Sequence, residues 1–303
     1  MKIKRGYSFA IIALVYLLAS VVGIFTYLLL DDGLGTCLAL LVADVVATVV
    51  TFIFSVIFKN ASVYDPYWSV QPLVILCAFV FVNGLNLTSA LIFSAICLWA
   101  VRLTANWAYT FRGMEHQDWR YTMLKEKTGV FYPVVNLIGI HLVPTVVVYL
   151  CTLPAVILVI ERPELDIACL AGLALVLTGI ALELFADIQM HIYRKNRTTP
   201  FIRIGVWKNS RHPNYLGEIL VWWGVALYCI ANMSNHWILL IGAIANSLLF
   251  AFVSIPLAED RQSKKEGYLE YVKETNVLIP LKKAVSPRHK NYFVRKIDNE
   301  ENK

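Results

Sequence analysis

The sequence predicts an all-α, polytopic transmembrane bundle of about eight spans with both termini cytoplasmic, and three observations predict it. The 303 residues are 58% hydrophobic and only 16% charged, against about a quarter charged in a soluble domain. The apolar residues fall in runs long enough to cross a bilayer as helices, which takes about 20 residues. The basic residues gather on one side of the map that those runs draw. Together these exclude a secreted enzyme, a cytosolic doubly wound domain, a coiled coil and a disordered tail protein.

The runs justify the spans in order. Residues 7–30 are too long for a signal-peptide core and lack a small-residue cleavage site, so they read as a retained anchor. Residues 37–58 carry Asp44 well inside the run. Residues 67–82 are short and hold Gln71 and Pro72, so this span is expected to be tilted, broken or partial. Residues 87–107 form the fourth run. The fifth, residues 131–160, contains Pro133, Pro144 and Pro154; proline removes a helix hydrogen bond, so a kink or two half-helices are expected. Residues 167–191, 216–231 and 237–257 complete the set.

With eight spans, 26 of the 27 Lys and Arg residues fall on the side of the N-terminus. Arg162 alone falls on the far side, beside Glu161, Glu164 and Asp166. One span more or fewer would scatter the charges over both faces. The net charge of +6 is therefore a topology signature, not a sign of nucleic-acid binding. All six cysteines lie in or at the runs without a CxxC pair, which predicts reduced, packing thiols. Residues 1–60 supply N-terminal transmembrane helices, and residues 281–303 a polar cytoplasmic tail, expected to be disordered from residue 282.

Ionisable groups inside a bilayer cost at least ~2.5 kcal/mol each, so their positions are informative. Besides Asp44, the sixth run holds Glu183 and Asp187 four residues apart on one face, with Arg194 seven residues further along the same stripe. This stripe is either a helix end dipping into water or the polar wall of a ligand cavity. His141 and Asn136 either face that cavity or are satisfied packing residues. From Arg194 to Arg211 the chain has six basic residues and no acid. The positive-inside rule accounts for that, and so does a phosphate site. The segment SRHPNYLGE that follows places Asn214, Glu218 and Trp222 on one helical face. Pro213 suits a first turn, and Gly217 permits close approach. The cluster RGMEHQDWRY, from Arg112 to Tyr121, has no metal-ligand spacing and suits Arg–carboxylate pairing. Tyr64-Asp65-Pro66-Tyr67-Trp68 is an interfacial aromatic anchor or an acid at a cavity mouth.

At these residues the chain resembles the steroid 5-alpha-reductase and sterol reductase superfamily. Gly205-Val206-Trp207 followed by SRHPNYLGE is similar to its C-terminal signature. SVYDPYWSVQP, the run from Arg102 to Tyr121 and EDRQ…YLEYVKETNVLIP are similar to its 5-alpha-reductase-like branch. The resemblance makes residues 61–280 a single reductase-like membrane domain. It implies NADPH-dependent reduction of a carbon–carbon double bond conjugated to a carbonyl, in a sterol-like or other lipid that enters from the bilayer. The family's cofactor contacts carry over onto Asp187, Arg194 and Asn214, with Tyr215 and Glu218 beside them. Glu183 stands where steroid reductases have Asn. Arg211 and His212 follow the sterol-reductase form of the signature. The family's Glu–Tyr pair near the substrate carbonyl falls on Asp65 and Tyr109. Two other classes stay open. One is a methyltransferase of the isoprenylcysteine carboxyl type, which shares RHPxY-x-G and uses S-adenosylmethionine. The other is a non-catalytic lipid-binding protein. Membrane lipids are the expected neighbours, in the endoplasmic reticulum of a eukaryote or the inner membrane of a bacterium.

Overall fold

The computed structural model describes residues 4–233 and 236–281; the tail expected from residue 282 lies outside the described residues. Among the described residues, eight helices are long and apolar enough to cross a membrane. They are α1 (Arg5–Leu34), α2 (Thr36–Ile57), α3 (Tyr67–Asn83), α4 (Leu87–Thr110), α5 (Trp119–Glu161), α6 (Leu170–Lys195), α7 (Pro213–Asn232) and α8 (Trp237–Ser263). A short helix, α9 (Tyr268–Glu274), follows. Each expected run coincides with one of these helices. No strand occurs among the described residues, only one isolated bridge between Ser210 and Asn276.

The helix ends follow local chemistry. Asn86 caps α4, its side chain accepting from the Ser89 backbone at 2.9 Å. Pro213 begins α7, where its missing N–H costs nothing. α3 runs through Pro72 as one helix, so it is not broken. α5 is the irregular element. It breaks at Gly129, whose φ is +52°, and its segment Asn136–Leu142 is a π-helical turn that leads into Pro144. α8 has the same arrangement, with the π turn Phe250–Ser254 leading into Pro256. A proline clashes with the carbonyl four residues back and offers it no N–H. Here those carbonyls, of Ile140 and Phe252, sit inside the widened turns.

The described residues form two compact units: those up to Ala174 together with those from Trp222 to Asn246, and those from Leu175 to Val221 together with those from Ser247 onward. In the first unit, α1 packs on α2 and α3 on α4 and α5. Its core includes Ile12, Tyr16, Tyr64, Tyr67, Phe111 and Met114, and Trp99 meets Trp222 edge-on at 4.8 Å. The polar loop after α4 is tied down. Asn60 donates to the Met114 carbonyl at 2.5 Å, the Asp118 N–H donates to the Ser62 hydroxyl at 2.8 Å, and Arg120 pairs with Asp118 at 2.8 Å.

In the second unit, α6 and α7 touch backbone to backbone. A Cβ on Gly179 would lie 2.6 Å from the Gly217 carbonyl, and one on Gly217 would lie 2.7 Å from the Gly179 carbonyl. The loop after α6 folds back on it. Trp207 donates to the Ala186 carbonyl at 3.1 Å, and the Val206 N–H donates to Gln189 at 2.9 Å. α9 and the segment that follows it brace the start of α7. The Arg211 and His212 N–H groups donate to the Asn276 and Val277 carbonyls at 2.9 and 3.1 Å.

Candidate functional site

In the first unit the most heavily engaged intramembrane acid is Asp44, on α2 and 4% exposed. Tyr67 and Gln71 lie four residues apart on one face of α3. The Tyr67 hydroxyl donates to Asp44 Oδ1 at 3.1 Å, and the Gln71 amide donates to Oδ2 at 2.5 Å. A buried carboxyl needs such partners. The group extends through hydroxyls: Tyr64 and Thr48 lie 2.8 and 2.9 Å from the Thr145 hydroxyl. The Tyr64 ring stacks on Tyr67 at 5.4 Å and meets His141 at 4.7 Å.

Asp44, Tyr67 and Gln71 line a cavity of about 760 Å³ among α1, α2 and α3. Apart from Ser20, its polar groups sit at its two ends. Tyr16, Asp44, Tyr67 and Gln71 occupy one, and Tyr27, Asp31, Thr36 and Asn83 the other, at the helix ends around the α1–α2 turn. Between them the walls are Gly23, Leu40, Ala43, Val74, Ile75 and Ala78. Along α3 the lining runs from Tyr67 to Asn83, about 24 Å of helix at 1.5 Å per residue.

Tyr109 is 57% exposed on α4. Asp65 accepts from the Tyr121 hydroxyl at 2.6 Å, which ties the start of α3 to the start of α5. His141 and Asn136 belong to this same unit. His141 Nδ1 lies 2.9 Å from the Asn136 carbonyl, and the Asn136 amide donates to Ser55 at 3.3 Å.

The second unit holds the remaining expected residues. Glu183 is buried beside Gly217, Asp187 is half-buried one turn on, and Arg194 is exposed at the end of α6. Asn214 and Tyr215 are half-buried in the first turn of α7, and Glu218 is buried in the second. Arg211 and His212 face inward, 3% and 6% exposed. Arg211 donates to Glu259 at 3.0 Å and to the Thr275 carbonyl at 2.5 Å. His212 Nε2 lies 2.6 Å from the same Glu259 oxygen, and the Tyr268 hydroxyl donates to it at 2.8 Å. Tyr271 donates to the Trp207 carbonyl. Burial raises both tyrosine hydroxyls above their ordinary value, and the Glu259 charge raises Tyr268 further. Tyr215 stacks on His212 with ring centres 5.1 Å apart. Arg211 and His212 thus clasp α7 to α8 and α9. Cations collect elsewhere in the unit. Lys265 is held below its ordinary value by burial and by the charges of Arg197, Arg261 and Arg194.

Sequence reasoning missed three parts of this. Asp44 and Gln71 stood out singly as polar residues in apolar runs, but nothing local said that α2 and α3 meet there. Glu259 and Lys265 lie within or beside EDRQ, where charge alone gave no partner. Tyr121 lies in the RGMEHQDWRY cluster, whose carboxylates drew attention before its phenol did.

The profile of a family described as "Protein of unknown function (DUF1295)" matches residues 51–275. An uncharacterised protein of Schizosaccharomyces pombe is 27% identical over 226 residues, which cover 65% of this chain and 63% of that relative. The chain thus aligns with less than two thirds of the relative's length. No solved structure matches the chain. The profile takes in Tyr67, Gln71 and every cofactor candidate on α6 and α7, while Asp44 lies just ahead of it. Running from within α2 through α9, that match places the chain in the DUF1295 family.

Proposed function

We propose that the protein is a membrane reductase of a carbon–carbon double bond conjugated to a carbonyl in a lipid, with NADPH as hydride source. One observation carries the reading: a carboxyl–tyrosine pair, Asp44 and Tyr67, buried at one polar end of a cavity whose walls between its two ends are mainly apolar. The resemblance to steroid reductases calls for such a pair at the substrate carbonyl. Asp44–Tyr67 meets that description better than Asp65 with the exposed Tyr109.

The second unit suits the cofactor. Arg194, Arg197, Arg261 and Lys265 share one cationic neighbourhood, and guanidinium forks match phosphate oxygens. Asn214 sits where the first turn of α7 presents backbone N–H groups, which favour anions and polar ligand groups. Asp187 and Glu218 add acceptors for ribose or amide N–H groups. Arg211 and His212 contribute by holding α7 in place.

When bound, NADPH supplies a hydride to the β carbon of the enone. The protein's part is at the other end of the conjugated system. The Tyr67 hydroxyl, held by Asp44 in the structure, would turn its O–H to the carbonyl oxygen and give up its proton there as negative charge develops, with Asp44 positioning it. The apolar walls orient the chain and exclude water.

Titration of the purified protein with NADPH, NADH and S-adenosylmethionine tests the reading. NADPH is expected to bind more tightly than NADH, with no saturable binding of S-adenosylmethionine. Asn214→Ala, Arg194→Ala and Lys265→Ala each weaken NADPH binding strongly, whereas the exposed Lys208→Ala does so only mildly. Tight S-adenosylmethionine binding would transfer the assignment to a methyltransferase. Binding of neither would leave a lipid-binding protein.

A further inference from the structure

Once the Tyr67 hydroxyl gives up its proton, its oxygen carries negative charge beside the Asp44 carboxyl, 3.1 Å away. Charge in a buried site is costly unless donors face it, so the groups on the other side of Tyr67 matter to the step. Tyr16 supplies no donor. Its ring meets Tyr67 edge-on at 5.5 Å, but its hydroxyl is spent on the Val63 carbonyl at 2.7 Å. The Thr48 hydroxyl, on α2 one turn from Asp44, is hydrogen-bonded to that of Tyr67. Thr48 Oγ1 lies 2.9 Å from Thr145 Oγ1 on α5, which lies 2.8 Å from the Tyr64 hydroxyl. Thr48, Thr145 and Tyr64 are at most 3% exposed, so bulk water does not stand in for these contacts.

The direction of the row follows from counting protons, since a hydroxyl has one to donate. A Tyr67 oxygen that has lost its proton only accepts, so Thr48 donates to it. The Thr48 proton is then used, so Thr145 donates to Thr48, and Tyr64 donates to Thr145 for the same reason. Three O–H dipoles thus line up behind one developing charge, and hydrogen bonds in such a chain strengthen one another. We infer that Thr48 and Thr145 are positioning residues of the reduction, which hold the charge on Tyr67 while it protonates the substrate. The inference rests on the reductase reading and adds residues to it. One O–H bond breaks, at Tyr67, and one forms, at the carbonyl oxygen; the O–H bonds of the row stay intact.

The test is steady-state oxidation of NADPH with trans-3-octadecen-2-one by the full-length protein in micelles, each rate divided by the concentration of NADPH-binding sites. Thr145→Val keeps the shape and removes the hydroxyl. It is expected to lower kcat about tenfold, the size of one hydrogen bond to a charged group, with KM nearly unchanged and a larger ratio of rates in H₂O and D₂O. Thr145→Ser, which keeps the hydroxyl, is expected to restore both kcat and the isotope ratio. Thr48→Val and Thr48→Ser repeat the comparison at the hydroxyl next to Tyr67 and decide the matter where Thr145→Val does not fold. Valine variants as fast as the unaltered protein overturn the inference and leave the reductase reading standing. Equal losses in the valine and serine variants do the same, because they mark a packing defect. An unaltered protein that oxidises no NADPH with this enone overturns the reductase reading and the inference together.

Discussion

The sharpest contrast lies between two aspartates 21 positions apart, Asp44 and Asp65, and the structure gives them different company. Asp44 is held by α3 at the floor of a cavity, whereas Asp65 closes a link to Tyr121 on α5. Asp44→Asn is expected to slow NADPH oxidation with an enone lipid by about 10²-fold or more, the lower range for loss of a positioned acid, and to leave NADPH affinity nearly intact. Asp65→Asn is expected to cost at least tenfold less turnover and to show mainly as a lower melting temperature. The opposite ranking in steady-state assays would return the acid's role to Asp65. Arg211 teaches a related lesson. In the sequence it looks like a ligand group beside a basic loop. In the structure it forms a buried pair with Glu259, both side chains 2% exposed. Removing one partner strands a buried charge, so Glu259→Gln is expected to destabilise the fold by about 3–5 kcal/mol, measured by thermal or denaturant unfolding in micelles. The partner lies 48 residues downstream, and no local spacing in the sequence encodes that distance.

At the scale of helices, the sequence is legible wherever one residue type dominates a whole turn. The eight apolar runs appear as eight helices, Pro213 starts α7, and Pro144 disturbs α5. What stays hidden is register: the alignment that lets Tyr67 and Gln71 meet Asp44 depends on how α3 slides along α2, and apolar side chains permit many such alignments. The form of the irregularity is hidden too, because Pro144 announces a kink while the structure accommodates it by the π turn Asn136–Leu142. Glycines offer the cleanest test at this scale. A Cβ on Gly217 meets the Gly179 carbonyl and the Glu183 side chain, whereas one on Gly6 meets nothing within 4 Å. Gly217→Ala is therefore expected to cost about 1–3 kcal/mol through overpacking. Gly6→Ala is expected to be neutral or slightly stabilising. Equal melting temperatures for the two variants would contradict the close α6–α7 crossing.

Over the whole molecule, the 26-to-1 division of basic residues sets the orientation expected in the membrane. Single cysteines at Gly33, Asn83, Arg162 and Asn235, the last outside the described residues, are expected to react from the far side only. Cytoplasmic labelling at any of them would break the eight-span topology. α1 adds a second constraint. It is 30 residues long, about 45 Å of helix, and a broad stripe of it, including Leu14, Leu17, Val21, Phe25 and Leu29, is exposed. Its apolar run, residues 7–30, is about 36 Å of helix against a bilayer core of about 30 Å, so α1 is covered by a tilt or by a locally thicker bilayer. The same helix forms one wall of the cavity, from Tyr16 to Asp31. Hydrophobic mismatch is thereby coupled to the shape of a binding site: a thin membrane lays α1 over, and a thick one raises it. Reconstituted into phosphatidylcholines of increasing acyl length, the protein should change its ligand affinity with bilayer thickness alone, making the membrane a regulator of the cavity it surrounds.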